Sequence, residues 1–204
     1  PIKKLLAEPL TPETLKAQLR LVLAIRTFAE NELGLPVKGQ YLTFVDLERP
    51  FVVYNLFAAP EFSLTPKKWC YPVIGCTSYR GYFSRKNACN YTDKIRKQGF
   101  DVYISGVVAY STLGWFDDPV LNTFIYRDDI KLAALIFHEL AHQLLYVAND
   151  TTFNESFAIA VEQESLRRWL AKRDNLKATE DYKVHYQRRQ QFIELVMKYR
   201  KELE

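Results

Sequence analysis

The sequence predicts an α+β fold, and three observations carry that prediction. Between Tyr41 and Ile74 the chain is rich in β-branched and aromatic residues and broken by Pro50, Pro60, Pro66 and Pro72, the composition of short strands and turns. From Ile130 to Val147 it is apolar almost all round, as a central, buried helix would be. Two further stretches, 153–173 and 179–202, carry helical periodicity. A β-rich N-terminal half followed by a helical C-terminal half, with no internal repeat and no dividing linker, reads as one domain over residues 1–204.

Taken in order, Pro12 to Leu33 places Leu15, Leu19, Val22, Leu23 and Phe28 at helical spacing, with Thr11 as cap, Pro12 in the first turn, and Gly34 and Pro36 as the stop. After the strand-like region, Arg85 to Gln98 predicts a helix ending at Gly99, then a strand over 100–105 that resumes near 107–110. Gly114 to Pro119 is turn-rich, and its aromatics are expected to be covered. The buried helix begins at Asp128 or Asp129.

Composition narrows the function classes. With 28 Lys and Arg against 24 Asp and Glu the net charge is only +4, and no long basic run exists, so nucleic acid is not expected as a partner. No uncharged apolar stretch reaches the roughly 18 residues of a membrane span. The chain opens at Pro1 instead of a methionine, and an upstream segment is expected, a targeting signal being one form it could take. Of three cysteines, Cys70 and Cys76 could close a short disulfide loop in an oxidising compartment, leaving Cys89 free; three buried thiols in a cytosolic protein fit the spacing equally.

Chemistry concentrates in His138-Glu139-Leu140-Ala141-His142. Residues four apart lie about 40° apart around a helix, so both imidazoles project from one face and can share a metal ion. Glu139 is about 100° from His138 and about 60° from His142, placed to act on a metal-bound water without being a ligand. Three ionisable groups on an apolar helix are costly unless coordinated or paired, and no Lys or Arg adjoins Glu139. The only other histidine is His185, which makes a carboxylate or a thiolate the expected third ligand of a catalytic zinc. Glu155, 13 residues after His142 and beyond a turn at 149–152, is the candidate. The same residue completes a Thr152-x-x-Glu155 capping box, which would turn it back to the backbone. Glu162, seven residues on, returns to the same face and could hydrogen-bond the outer nitrogen of a ligating histidine; Asn154 is a second candidate for such support.

These residues resemble the gluzincin metallopeptidases, whose zinc aminopeptidases carry H-E-L-A-H-Q, then N-E-G-F-A and a trailing V-E. The matching segments are His138 to Gln143, Asn154 to Ala158, and Val161-Glu162. Phe57 to Glu61, Gly81 to Phe83, and Tyr110 to Pro119 resemble a small bacterial family of predicted zinc aminopeptidases. The resemblance implies a zincin-like domain, one zinc per chain on His138, His142 and Glu155, Glu139 as general base, and a peptide substrate. It also implies a periplasmic protein or a lipoprotein anchored upstream. The spacer before Glu155 is shorter than in the large aminopeptidases, and their Gly-x-Met-Glu-Asn motif is absent.

On this reading the substrate lies along a strand edge at 102–106 or 107–110. Tyr110, Tyr146, Tyr182, Tyr186 and His185 are candidates for stabilising the oxyanion, and Asp117 and Asp118 for holding a substrate α-amino group, or simply for making a turn. Two other readings stay open: an endopeptidase, and a non-catalytic zinc module whose fourth ligand is Cys89.

Overall fold

The computed structural model describes residues 1–71, 75–109, 112, 116–148, 150–173 and 176–203. In chain order the elements are α1 (Ile2–Ala7), α2 (Glu13–Leu33), β1 (Phe44–Val45), β2 (Val53–Pro60), β3 (Trp69–Tyr71), β4 (Gly75–Thr77) and β5 (Arg80–Tyr82). They continue as α3 (Arg85–Arg96), β6 (Phe100–Val107), β7 (Val120–Leu121), α4 (Asn122–Ile125), α5 (Asp129–Leu144), α6 (Thr151–Lys172) and α7 (Leu176–Leu203). This is a mixed α/β architecture with small sheets, and it divides into two compact units, 1–43 with 112–118 and 126–204, and 44–111 with 119–125.

The first unit is helical. α2 buries Leu15, Leu19, Val22, Ile25 and Phe28 on one stripe, α5 buries Leu132, Ile136, Phe137 and Leu140, and α6 contributes Ala158, Leu166 and Trp169. Three rings from three helices lock together: Phe28 lies edge-on to Trp169 at 5.0 Å, and Phe137 sits 6.1 Å from Phe28 and 6.4 Å from Trp169. Such clusters combine large apolar burial with the favourable tilt of aromatic quadrupoles.

The second unit is built on an antiparallel sheet of order β5-β2-β6, in which Asn55 faces Ser105 and Leu56 faces Ile104. Leu56, Ala58, Trp69 and Ile95 form its core, with Ile95 supplied by α3. β6 lies at one end of that sheet, and Gly106 lets the Phe51 ring close over it, since a Cβ there would fall 2.4 Å from that ring. β1 and β7 pair in parallel, and β3 and β4 form a short antiparallel ribbon.

Several boundaries differ from the sequence reading. α2 begins at Glu13 with Pro12 at its N-cap, so Thr11 makes no cap; Gly34 closes the helix in the left-handed region at φ 65°. β6 is one continuous strand to Val107, and residue 110 lies outside the described residues. The helix expected to reach Val147 stops at Leu144: Leu145 turns extended, and residues 144–147 are exposed instead of buried. Phe116, expected to be covered, is 73% exposed.

Cys70 and Cys76 stand opposite each other across the β3–β4 ribbon and are disulfide-bonded, while Cys89 on α3 is free and exposed. Thiol titration of the denatured, unreduced protein should therefore find one free thiol per chain, rising to three after reduction.

Candidate metal centre

α5 starts where Asp128 accepts a hydrogen bond from the Lys131 N–H at 2.9 Å, and its apolar face locks it against α2 and α6. That orientation leaves His138 and His142 on a common side, with ring centroids 4.9 Å apart. α6 starts at Asp150, whose side chain accepts from the Phe153 N–H at 2.9 Å. Thr152 therefore lies inside the helix, the capping box does not form, and Glu155 is turned toward the histidines. Its carboxylate oxygens lie 3.4 Å from His138 Nε2 and 3.7 Å from His142 Nε2.

The donor set fits a tetrahedral cation. One nitrogen from each histidine and one Glu155 oxygen all fall within 4.8 Å of one another. Ligands about 2.0–2.1 Å from a tetrahedral zinc are about 3.4 Å apart, close to the separations of Glu155 from the two histidine nitrogens. His142 Nε2 stands beyond hydrogen-bond distance of Glu155, so a cation there would give that nitrogen a partner; Nδ1 is buried with no hydrogen-bond partner among the described residues. Among the described residues the cluster includes no cysteine.

Glu162, two turns along α6, places Oε2 3.1 Å from His138 Nδ1. With Glu162 ionised, Nδ1 carries the proton and Nε2 presents its lone pair to the cluster. Burial works to lower the His138 pKa, but the Glu162 hydrogen bond and the Glu139 and Glu155 carboxylates hold it above the ordinary imidazole value. Burial and the neighbouring His138 hold His142 below it.

Glu139 projects from α5 beside the cluster. Burial pushes its carboxyl up to about 7; His138 opposes the rise, and the Glu155 and Asp118 carboxylates add to it. A cation on the histidines would draw that value down, leaving a carboxylate that can accept a proton near neutral pH.

Not every predicted residue joins this group. Asn154 is buried, but its amide bonds both the N–H and the carbonyl of Val147, at 2.8 Å each, and so ties down the α5–α6 connection instead of supporting a histidine. Asp118 is a loop anchor: its carboxylate accepts the Thr112 N–H at 2.9 Å and its own N–H donates to Gln40 Oε1 at 2.7 Å. Asp117 is exposed beside Gly39, Tyr146 is exposed, and Tyr110 lies outside the described residues. His185 and Tyr186 do reach the site, lining with Tyr182 and Glu162 a cavity of about 350 Å³ that opens beside His138 and Glu139.

Two neighbours escaped the sequence reading. Gln40 bridges the Phe116 carbonyl and the Asp118 N–H. Tyr41, at φ 58°, donates its N–H to the Asp118 carbonyl. Burial lifts the Tyr41 hydroxyl well above its usual pKa, and the Glu139 and Asp118 carboxylates add to that. No local motif marks either residue, because the loop that brings them here closes nearly a hundred positions from Glu139.

A family model described as "Putative aminopeptidase" matches residues 1–204. No curated protein and no solved structure matches the chain.

Asn154→Ala should destabilise the fold by about 1–3 kcal/mol, because both Val147 backbone groups lose their partner. Urea denaturation checks the loss, and an unchanged midpoint would remove Asn154 from this structural role.

Proposed function

The chain belongs to this putative aminopeptidase family, and on that premise we propose that it is a zinc-dependent, zincin-like peptidase releasing N-terminal residues. The observation that carries the reading is the convergence of His138, His142 and Glu155, with half-buried Glu139 beside them. These three residues would hold the ion. Bound there, zinc supplies Lewis acidity at the scissile carbonyl and brings the pKa of a coordinated water to about 7.

Everything else is the work of the chain's own side chains. Glu139 takes the proton of the attacking water and hands it to the leaving amine. Glu162 keeps His138 in the tautomer that leaves Nε2 free. His185 and Tyr186, in the cavity wall, offer donors to a developing oxyanion. The Cys70–Cys76 disulfide supports a periplasmic setting. Among the described residues no helix is long and apolar enough to cross a membrane.

Metal analysis of the purified protein should give about one zinc per chain, and Glu155→Ala, like His138→Ala, should greatly weaken its retention on dialysis. Undiminished zinc in Glu155→Ala would remove that residue from the ligand set.

Glu139→Gln keeps shape and polarity but cannot accept a proton, so turnover should fall roughly 10²-fold or more while zinc content holds. Peptides with free and acetylated N-termini supply the readout. Cleavage only of free N-termini identifies an exopeptidase, equal cleavage an endopeptidase, and no cleavage of either a non-catalytic zinc module.

A further inference from the structure

The cavity beside Glu139 carries two arginines, Arg127 and Arg189, that the hydrolytic chemistry does not use. Its α7 wall is the stripe Tyr182, His185, Tyr186 and Arg189, spaced as one face of a helix. Its α5 wall runs from Ile130 past Ala134 and Leu135 to Glu139. The nine helical steps from Ile130 to Glu139 rise about 13 Å, the length of about four extended peptide residues. Arg127 adds a second guanidinium to the lining.

Among the described residues neither Arg127 nor Arg189 belongs to an ion pair, whereas nearby basic groups do. Lys131 pairs with Asp128 at 2.8 Å, Arg167 and Arg168 with Glu164 at 2.7 Å each, and Arg173 with Asp129 at 3.7 Å. The cavity's own Glu162 is engaged by His138. Two guanidiniums thus face a groove with apolar sides and no carboxylate assigned to them.

We propose that this cavity receives a carboxylate of the peptide substrate, held by Arg127 and Arg189, so that short peptides with a carboxylate within a few residues of the scissile bond are preferred. The proposal rests on the peptidase reading above. A guanidinium fork matches the two oxygens of a carboxylate. A dianion such as phosphate is disfavoured by Glu139 and Glu162 in the same lining. The carboxylate could be the peptide's C-terminus or an acidic side chain.

The test is calorimetric titration of chelator-treated protein with three probes: Leu-Ala-Ala as free acid, Leu-Ala-Ala amide, and Leu-Ala-Glu amide. At least one carboxylate-bearing peptide should bind about tenfold more tightly than the neutral amide. Preference for the free acid assigns the C-terminus as the source, and preference for Leu-Ala-Glu amide the side chain. That preference should shrink in Arg127→Gln and in Arg189→Gln and persist in Arg188→Gln, an exposed neighbour outside the cavity lining. Equal affinity for all three probes, no measurable binding of any, or a preference that neither cavity variant alters would overturn the proposal. Hydrolysis by the zinc-loaded protein separates the two readings. Cleavage with no carboxylate preference sinks the cavity assignment alone, and carboxylate-dependent binding without cleavage of any probe sinks the peptidase reading alone.

Discussion

An apolar helix cannot carry two imidazoles and a carboxylate into a protein interior unless a neighbouring element answers them, and in this chain the answer is the packing of α5 against α6. The aromatic lock of Phe28, Phe137 and Trp169 holds the helices from one side. On the other, Glu155 and Glu162 meet the histidines. Core and site are two faces of one helix pair, so geometry at the cluster is inherited from ring packing that takes no part in the chemistry. Loss of any of the three rings would leave a cavity whose relaxation shifts α5 relative to α6.

The connection between the two helices is as constrained as the helices themselves. α5 ends at Leu144, α6 begins at Thr151, and Asn154 reaches back to hold Val147 by both of its backbone groups. A short, fastened connection fixes the register in which Glu155 arrives. Asp150 completes this by taking the N-cap, which releases Glu155 from the backbone role that its sequence context also allows.

Charge is distributed unevenly around this frame. Glu139 is half-buried with the Asp118 and Glu155 carboxylates nearby, and in the absence of a cation these raise its proton affinity, an arrangement costly to stability. Glu162 spends its charge on His138. The two guanidiniums of the cavity, Arg127 and Arg189, have no such partner among the described residues, whereas Lys131 in the same lining is held by Asp128, so the arginines differ in character from the ion-paired outer surface of α6.

How much of this was legible depended on the range of the interaction. The helix placing His138, Glu139 and His142 on one side could be read directly, because an i, i+4 spacing is local geometry that any helix enforces. Glu155 and Glu162 were readable as one face of the following helix, since their separation is again a helical repeat. Whether Glu155 capped the helix or faced the histidines was not, because both uses satisfy local rules and only the position of Asp150 and the packing of α6 on α5 choose between them. Asn154 failed in the same way: its neighbours in sequence suggested the histidines, and the folded connection gave it Val147. Gln40, Tyr41 and the Arg127–Arg189 pair carry no local signature at all. They are brought together by loop closure and by the docking of α7, long-range events whose energy comes from burying apolar surface and not from any pattern within a few residues of the groups concerned.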